Sequence, residues 1–320
     1  MKVLVTGASG FIGNRVSNVA KHKNWSVKKQ VRNVAFQANN TIVCDIQAHT
    51  DWSAHLKDID CIVHCAACVH QMKGVKNDAN ILQAYRDTNI LGTLNLTRQA
   101  VEAGVKRFVF ISSIKVNGEQ TSLGQAFVSA VSQPPSNFYG LSKYEAEIGL
   151  KKIAEQTGLE VCIIRPPLVY GEGVKANFQS MMNIVCKGTP LPFGAINNYR
   201  SFVYIDNLVS LVLTCCTHPN AVGRTFLVSD NDDVSTTRLL KQITISMGRP
   251  SRLLPLPQRI LEYTARLLGK TDIANRLCGN LQVDISDTMQ SLDWIPPVSF
   301  ERGIAKTVDA YLNARKTNKL

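Results

Sequence analysis

The feature that most constrains this chain is a glycine-rich loop close to its beginning. Residues 6–13 read TGASGFIG, with glycines at Gly7, Gly10 and Gly13. The apolar run at 3–6 reads as a buried strand, and an amphipathic helical stretch follows the loop. In this context the first glycine permits a tight turn, the second lets a pyrophosphate approach the backbone, and the third lets helix and strand pack closely. The loop therefore predicts a dinucleotide site at the N-terminus of a helix, where free N–H groups and the helix dipole favour phosphate.

Strand and helix patterns alternate from this loop as far as Arg165. We predict strands at 3–6, 26–31, 41–44, 61–67, 108–113 and 161–165, and helices at 11–22, 83–103 and 140–157. The third helix carries Lys143, Glu147 and Lys151 at a spacing of four residues, which favours helix. This alternation predicts an α/β fold, a Rossmann-type doubly wound parallel sheet with helices on both faces.

The pattern changes after residue 170. Proline and glycine become frequent, 200–215 returns to a strand and a helix, 226–229 reads as one more strand, and the helices after Asp233 are expected to be short. We therefore predict an NAD(P)-binding Rossmann domain at 1–170, to which 200–230 returns. A smaller C-terminal α/β subdomain at 171–199 and 231–320 should bind the substrate.

Composition and charge restrict the partners. The chain has 320 residues, of which 45% are hydrophobic and 19% charged, with a net charge of +12. No apolar run approaches the roughly 20 residues that span a bilayer, and no nucleic-acid-binding motif accompanies the basic groups at 21–29 and 315–319. We expect no membrane and no nucleic-acid partner. The first strand meets the loop at Gly7 and leaves no room for a signal peptide, so a cytoplasmic protein with reduced thiols is expected.

Three of the nine cysteines stand at a spacing that could suggest a metal. Cys61, Cys65 and Cys68 form CxxxCxxC, but the first two fall in an apolar strand and no matching second pair follows. We expect them to be small buried hydrophobic residues, with no metal site.

The end of the second predicted strand bears on the choice between NAD and NADP. An acidic residue there would bind the ribose 2′-hydroxyl, whereas a basic one favours the 2′-phosphate. The position holds Arg32, and no Asp or Glu is near it. The charge favours NADP(H) over NAD. Stacking of Arg32 on adenine, or simple exposure to solvent, remains the alternative.

Residues 139–143, YGLSK, supply a candidate catalytic pair. On a helix Tyr139 and Lys143 lie on one face. The ordinary pKa of tyrosine is about 10, which is too high for a base at neutral pH. A nearby ammonium favours the phenolate, so Lys143 is expected to lower the pKa of Tyr139. Lys143 could also hold the nicotinamide ribose, while Ser113 could hydrogen-bond the reacting oxygen. Tyr139 would then exchange a proton with a substrate hydroxyl as a hydride moves.

With these motifs the chain resembles the extended short-chain dehydrogenases/reductases over nearly its whole length. It is most similar to their nucleotide-sugar epimerase/dehydratase group, which includes UDP-glucose 4-epimerases and UDP-4-keto-sugar reductases. The matching segments are TGASGFIG, CDI at 44–46, HCAA at 64–67, TNILGT at 88–93, ISSIKVNG at 111–118, YGLSK, and RPPLVYG at 165–171. The resemblance places the catalytic serine at Ser113 and makes Asn89 a brace of the sheet. The expected cofactor-binding residues are Gly7, Gly10, Phe11, Ile12, Gly13, Arg32, Asp45, Ile46, Cys65, Ala66, Ala67, Asn89, Tyr139, Lys143 and Pro166.

The resemblance also implies a nucleotide-sugar site. ANF at 176–178 resembles the segment whose asparagine contacts the diphosphate, and RSFVYIDN at 200–207 places an arginine on a phosphate. A structural pair between Arg200 and Asp206 is the alternative. A later segment is degraded, since Asp287 stands where lysine is usual, and Arg276 is the nearest candidate for an expected arginine. The expected substrate-binding residues are Ser113, Lys115, Asn177, Arg200 and Arg276.

Departures from the family pattern leave the reaction open. Arg32 replaces an aspartate, Asn117 replaces a tyrosine, and Ile114 and Lys115 stand where a 4,6-dehydratase has an acidic pair. A 4,6-dehydratase is therefore not expected. Family likeness favours a UDP-sugar 4-epimerase, Arg32 favours an NADPH-dependent reductase of a UDP-4-keto-6-deoxy sugar, and a non-catalytic dinucleotide sensor is the third alternative. The resemblance further implies a homodimer formed through a four-helix bundle.

Overall fold

The protein is described here by a computed structural model that covers residues 1–36, 38–69 and 78–317. The last residues of the predicted basic segment 315–319 lie outside this range. The strands are β1 Lys2–Thr6, β2 Ser26–Val31, β3 Thr41–Val43, β4 Cys61–His64, β5 Arg107–Ile111, β6 Glu160–Arg165, β7 Leu168–Tyr170, β8 Phe202–Tyr204 and β9 Thr225–Leu227. Seven of them form one sheet in the order β3-β2-β1-β4-β5-β6-β9, and every neighbouring pair is parallel. β7 and β8 form a separate parallel pair. The predicted doubly wound α/β fold is confirmed.

Helices cover both faces of the sheet. They are α1 Phe11–His22, α2 Ser53–Leu56, α3 Asp78–Arg86, α4 Thr93–Glu102, α5 Phe138–Thr157, α6 Ala176–Lys187, α7 Ile205–Thr217, α8 Thr236–Ser246, α9 Gln258–Leu267, α10 Thr271–Cys278, α11 Ser286–Leu292 and α12 Phe300–Thr317. Short 3₁₀ turns lie at Val34–Phe36, Ile114–Val116 and Pro219–Ala221. None of the helices in the described ranges is both long and apolar enough to cross a bilayer.

The central strands are buried on both faces because the helices form two separate apolar layers. Every residue of β4 and β5 is buried. Side chains alternate between the layers along β1: Val3 and Val5 pack in the layer that contains Leu208, whereas Leu4 packs in the layer that contains Leu150. The sheet is therefore a rigid platform whose edge can hold a site.

The predicted strands 61–67 and 108–113 are too long. β4 ends at His64 because its last partner, Thr6, is the end of β1, and the chain turns away at Gly7. β5 likewise ends at Ile111. The residues that follow these strands leave the sheet at its carboxyl edge, which is where candidate site residues stand.

The predicted single helix 83–103 is also wrong. The structure has α3, then a π-helical segment Asp87–Gly92, then α4. Gly92 closes the widened turn against the loop after β3, since a Cβ on Gly92 would lie 2.7 Å from the carbonyl carbon of Ile46. The backbone contact explains both the glycine and the local change of helix.

The C-terminal part differs from the expectation of short helices, since α12 has 18 residues. Within 171–199 and 231–317 the described residues form helices and isolated bridges, such as Leu191 with Leu253, rather than a sheet. One apolar core runs from Val3 through Val209 to Leu239 and Ile304. The division of the chain into two units stays a prediction.

Candidate active site

The site lies where the strand order of the sheet reverses. β1 is flanked by β2 on one side and β4 on the other, which creates a crevice outside the carboxyl ends of the strands. The loops after β1 and β4 meet there, since a Cβ on Gly7 would lie 2.9 Å from the Cα of Ala66. Because all strands are parallel, Ser113 after β5 and Pro166 after β6 reach the same edge.

The glycine loop has the geometry of a phosphate cradle. Gly7 has φ +63°, and its carbonyl accepts a hydrogen bond from the N–H of Gly10 at 2.9 Å. A Cβ on Gly13 would lie 2.8 Å from the carbonyl carbon of Gly7, so a larger residue would separate α1 from the strand. Gly10 caps α1 without a side-chain hydrogen bond, which leaves the N–H groups of the first turn available to an anion. These residues fit a dinucleotide pyrophosphate.

Gln30 holds this loop in place, and the sequence analysis did not identify it. Its Oε1 accepts a hydrogen bond from the N–H of Gly7 at 2.8 Å, and its Nε2 donates to the carbonyl of Cys44 at 2.6 Å. The side chain is fully buried. The one available signal in the sequence was the polar amide of Gln30 directly before Val31, the last residue of β2.

Arg32 directly follows β2 and is exposed. Its charge acts on Cys68: burial raises the pKa of this thiol, and Arg32 opposes the increase. Arg32 therefore lies near the loop that follows β4, on the crevice side of β2. Asp45 is exposed and Ile46 is buried, in the loop that Gly92 contacts.

The structure brings the three candidate catalytic residues together. Tyr139 lies in the first turn of α5, near enough to Ser113 for this hydroxyl to lower the pKa of Tyr139 in part. Lys143, one turn later, is almost completely buried, and its Nζ lies 3.8 Å from the centroid of the Phe110 ring. α5 begins here because Asn137 caps it, its Oδ1 accepting a hydrogen bond from the N–H of Gly140 at 2.6 Å.

The pKa values of this group differ from the expectation. Desolvation raises the pKa of Tyr139 to about 12, and the neighbouring Tyr85, with ring centroids 6.0 Å apart, adds to the increase. Burial lowers the pKa of Lys143 to about 7, although Glu147 opposes the decrease. The expected lowering of the Tyr139 pKa by Lys143 is wrong for the protein alone, because the same crevice disfavours the charged form of both groups.

A buried carboxylate connects this helix to the sheet. Glu147 accepts hydrogen bonds from Ser112 Oγ at 2.5 Å and from Arg165 Nε at 2.9 Å and Nη2 at 2.5 Å. Arg165 Nη1 also donates to Asn117 Oδ1 at 3.1 Å and to the carbonyl of Ser129 at 2.8 Å. The helix predicted from the spacing of Lys143, Glu147 and Lys151 is present, and Lys143 and Glu147 face its buried side.

Asn89 braces the loop after β4 rather than presenting a free amide. Its Oδ1 accepts from the N–H of Cys68 at 2.8 Å, and its Nδ2 donates to the carbonyl of Cys68 at 3.1 Å and to Ser142 Oγ at 3.0 Å. The π-helical segment that carries Asn89 is thereby fastened to α5. Direct binding of the cofactor by Asn89 stays a prediction.

His64 fills the space beneath the same loop. Its Nδ1 lies 2.8 Å from Thr6 Oγ1 and its Nε2 lies 2.9 Å from Thr93 Oγ1. Burial and the charge of Lys143 lower the pKa of His64 to about 3, so the ring is neutral at physiological pH. His64 therefore supports Cys65, Ala66 and Ala67 without carrying charge. All nine cysteines are free thiols, and the described residues contain no cluster of His, Cys, Asp and Glu suited to a metal.

The expected substrate residues are more dispersed. Arg200 is half-buried and donates from Nη1 to the carbonyl of Gly279 at 2.9 Å. Arg276 is exposed in the last turn of α10, just before Gly279, so the two arginines belong to one region. Asn177 is exposed at the start of α6, and Lys115 is exposed with its Nζ 3.4 Å from Glu119.

The alternative pairing of Arg200 with Asp206 is wrong. Asp206 instead accepts two hydrogen bonds from Arg15 of α1, at 2.6 and 2.9 Å. Burial lowers the pKa of Arg200, and no carboxylate in the described ranges lies within 4.0 Å of it. Its charge is therefore available to an anionic ligand.

Fold and site together define a Rossmann-type NAD(P)-binding protein with a Ser-Tyr-Lys group at the switch point of the sheet. The profile of the NAD dependent epimerase/dehydratase family matches residues 3–229, and the chain belongs to this family. It is 46% identical to a UDP-glucose 4-epimerase of Vibrio cholerae over 316 residues, which cover 98% of this chain and 96% of that protein. It is 25% identical to an N-acetyl-α-D-glucosaminyl-diphospho-ditrans,octacis-undecaprenol 4-epimerase of Escherichia coli O157:H7, with 98% and 96% covered.

Solved structures agree on the fold. A UDP-N-acetylglucosamine 4-epimerase from Bacillus cereus superposes with a TM-score of 0.79 at 21% identity, covering 98% of this chain and 99% of that one. A UDP-glucuronic acid 4-epimerase from the same species, in complex with NAD, has a TM-score of 0.77 at 23% identity, with 99% and 98% covered.

Proposed function

We propose that this protein is an NAD(P)-dependent 4-epimerase of a nucleotide sugar, either a UDP-hexose or a UDP-N-acetylhexosamine. The observation that carries the proposal is the grouping of Ser113, Tyr139 and Lys143 at the same sheet edge as the glycine loop. The activity named for the relative at 46% identity supports the choice of reaction and of nucleotide.

The cofactor would be held by the glycine loop and by the loops after β3 and β4. Gly7, Gly10 and the first turn of α1 would bind the pyrophosphate, while Lys143 would bind the nicotinamide ribose. When bound, oxidised NAD(P) supplies a hydride acceptor and a positive charge. A positive charge in this crevice favours the ionised form of Tyr139, which the protein alone disfavours.

The reaction would interconvert the two configurations at C4 of the sugar. Tyr139 accepts the proton of the C4 hydroxyl as the hydride leaves C4, and Ser113 hydrogen-bonds the same oxygen. The resulting 4-keto sugar presents its other face, C4 takes the hydride back, and Tyr139 returns the proton. No net oxidation occurs, so the cofactor does not need to exchange.

Arg200 is the best-supported candidate for binding the diphosphate. Arg200 is half-buried, burial lowers its pKa, and within the described residues its guanidinium donates to the carbonyl of Gly279. A buried cation without a carboxylate is stabilised by phosphate oxygens, which a guanidinium binds as a fork. Arg276 and Asn177 would complete the site, and Lys115 would face the sugar or a phosphate.

We infer from Arg32 that NADP(H) is preferred over NAD. The residue is exposed after β2, in the place where a 2′-phosphate would lie. Denaturing the purified protein and identifying the released cofactor by mass spectrometry tests this inference. Retained NAD⁺ would contradict it and would support the epimerase cycle; an empty protein that binds only added NADPH would favour the reductase.

The reaction is tested by incubating the protein with UDP-glucose or UDP-N-acetylglucosamine and separating the C4 epimers by chromatography. The expected result is interconversion without consumption of added NAD(P)H. Tyr139→Phe should lower the rate by about two to four orders of magnitude, because it removes the proton acceptor. Tyr144→Phe on the same helix is the matched control and should leave the rate within a few-fold.

Two results would reject the epimerase. Stoichiometric consumption of NADPH with a UDP-4-keto-6-deoxy sugar, and no interconversion of epimers, would establish the reductase that Arg32 favours. Absence of both reactions in the wild type, with dinucleotide binding that Tyr139→Phe leaves unchanged, would instead indicate a dinucleotide sensor. We also infer a homodimer and a cytoplasmic location.

A further inference from the structure

The helical hairpin α9–α10 exposes an apolar stripe that the proposed reaction does not use. No residue of α9 is fully buried. Ile260, Tyr263 and Leu267 follow one another at helical spacing and are 46%, 63% and 69% exposed. Leu268, 69% exposed, and Ile273, 52% exposed, continue the stripe into α10. Large apolar side chains grouped in this way on a surface mark a site of interaction.

The stripe is not the face by which α9 is attached to the protein. The half-buried Leu261 and Ala265 lie on the other side of the helix, where α9 packs on α10. Gln258 on this inner side donates to Glu262 at 2.7 Å and to the carbonyl of Cys278 at 3.4 Å. α9 therefore has two apolar faces: one packs on the protein, and the other, the stripe, is exposed to solvent.

The charge around the stripe is strongly positive. Segment 249–276 contains six basic residues and two acidic ones, Glu262 and Asp272. Arg259 and Arg266 lie two helical turns apart beside the stripe, and Lys270 follows α9. None of these three cations forms an ion pair with a carboxylate in the described parts of the chain.

A basic groove precedes the hairpin in the same segment. Its volume is about 230 Å³, and Lys187, Arg249 and Arg252 line it together with Thr189 and no acidic residue. Arg249 and Arg252 donate to backbone carbonyls at the end of α6. The groove therefore adds positive charge without a lining carboxylate to the same segment, and such charge is suited to phosphate groups.

We propose that segment 249–276 docks the protein on an anionic phospholipid surface. The apolar stripe would enter the boundary between headgroups and acyl chains, and the flanking cations would contact lipid phosphates. A second copy of this chain is a poorer occupant, because a symmetric contact would bring the same basic segment against itself. The expectation of no membrane partner rested on the absence of an apolar run long enough to span a bilayer, which does not bear on docking at a membrane surface.

Co-sedimentation of the full-length protein with lipid vesicles tests the proposal. Vesicles of phosphatidylcholine alone are compared with vesicles that also contain phosphatidylglycerol. Wild type should sediment with the anionic vesicles, and added salt should weaken the binding. The double substitutions Tyr263→Ser/Leu267→Ser and Arg259→Gln/Arg266→Gln should each weaken it at least about tenfold.

Matched changes outside the segment control for loss of hydrophobicity or charge. Leu123 is 73% exposed, so Leu123→Ser matches the apolar change, and the exposed Lys57→Gln matches the charge change. Both should bind vesicles as wild type does, and all variants should keep the wild-type melting temperature. The proposal fails if wild type does not sediment, if it binds neutral vesicles equally well, or if the controls weaken binding as much as the double variants. Light scattering that shows a smaller assembly only for Tyr263→Ser/Leu267→Ser would assign the stripe to a second copy instead.

Discussion

Burial in one crevice shifts the pKa values of Tyr139 and Lys143 in opposite directions. Desolvation raises the pKa of the phenol to about 12 and lowers the pKa of the ammonium to about 7. The order of motifs along the chain predicted both residues and Ser113 as a catalytic group, but burial is a property of the assembled fold. Gln30 was missed for the same reason, because its burial and its hydrogen bond to the glycine loop arise only in the assembled fold.

The buried lysine predicts a dependence of stability on pH. Lys143 has a pKa of about 7 in the folded protein and an ordinary value of 10.5. Between these values the unfolded chain binds a proton that the folded protein lacks, so the free energy of unfolding rises with pH from about 7 towards 10. Lys143→Met should remove this contribution. Thermal unfolding of the cofactor-free protein across this range measures it, with the exposed Lys151→Met as control; equal slopes in wild type and Lys143→Met would contradict the assignment.

The bounds of helices and strands were predicted well where the local sequence pattern sets them, and poorly where a contact with another part of the chain sets them. The bounds of α1 and β2 are those expected from periodicity. β4 ends early because β1 turns away, and the helix 83–103 is interrupted because Gly92 touches the loop after β3. Neither contact can be seen in the local sequence. The candidate substrate residues stand on separate elements, such as Asn177 on α6 and Arg276 on α10, whose relative positions the local sequence does not fix.

At the scale of elements, Glu147 joins α5 to the ends of β5 and β6. Glu147→Gln should leave the buried Arg165 without its counter-charge, and breaking such a pair typically costs about 3–5 kcal/mol. We expect a clear decrease in the free energy of unfolding, measured by denaturant titration. Glu155→Gln, an exposed position of the same helix, should change it by less than about 0.5 kcal/mol. A wild-type value for Glu147→Gln would show that the pair is not stabilising.

At the scale of the whole molecule, two exposed apolar residues support the proposed homodimer. Leu94 packs against Gly149 where α4 meets α5, and beside this contact Leu91 is 44% and Ile148 is 51% exposed. A four-helix bundle would cover them. Light scattering should give the mass of a dimer, and Ile148→Glu should give a monomer because it buries an unpaired charge. Ile295→Glu, at a residue 68% exposed, should remain dimeric; a monomeric wild type would refute the dimer.

The apolar core that passes without a break from Val3 to Ile304 limits how the molecule can move during turnover. Opening the chain like a hinge between its two parts would expose that core to water. The shared core therefore favours a site whose walls keep their relative positions. If a hydride leaves one face of a sugar ring and returns to the other, it is the sugar that rotates within the crevice, while the walls stay in place.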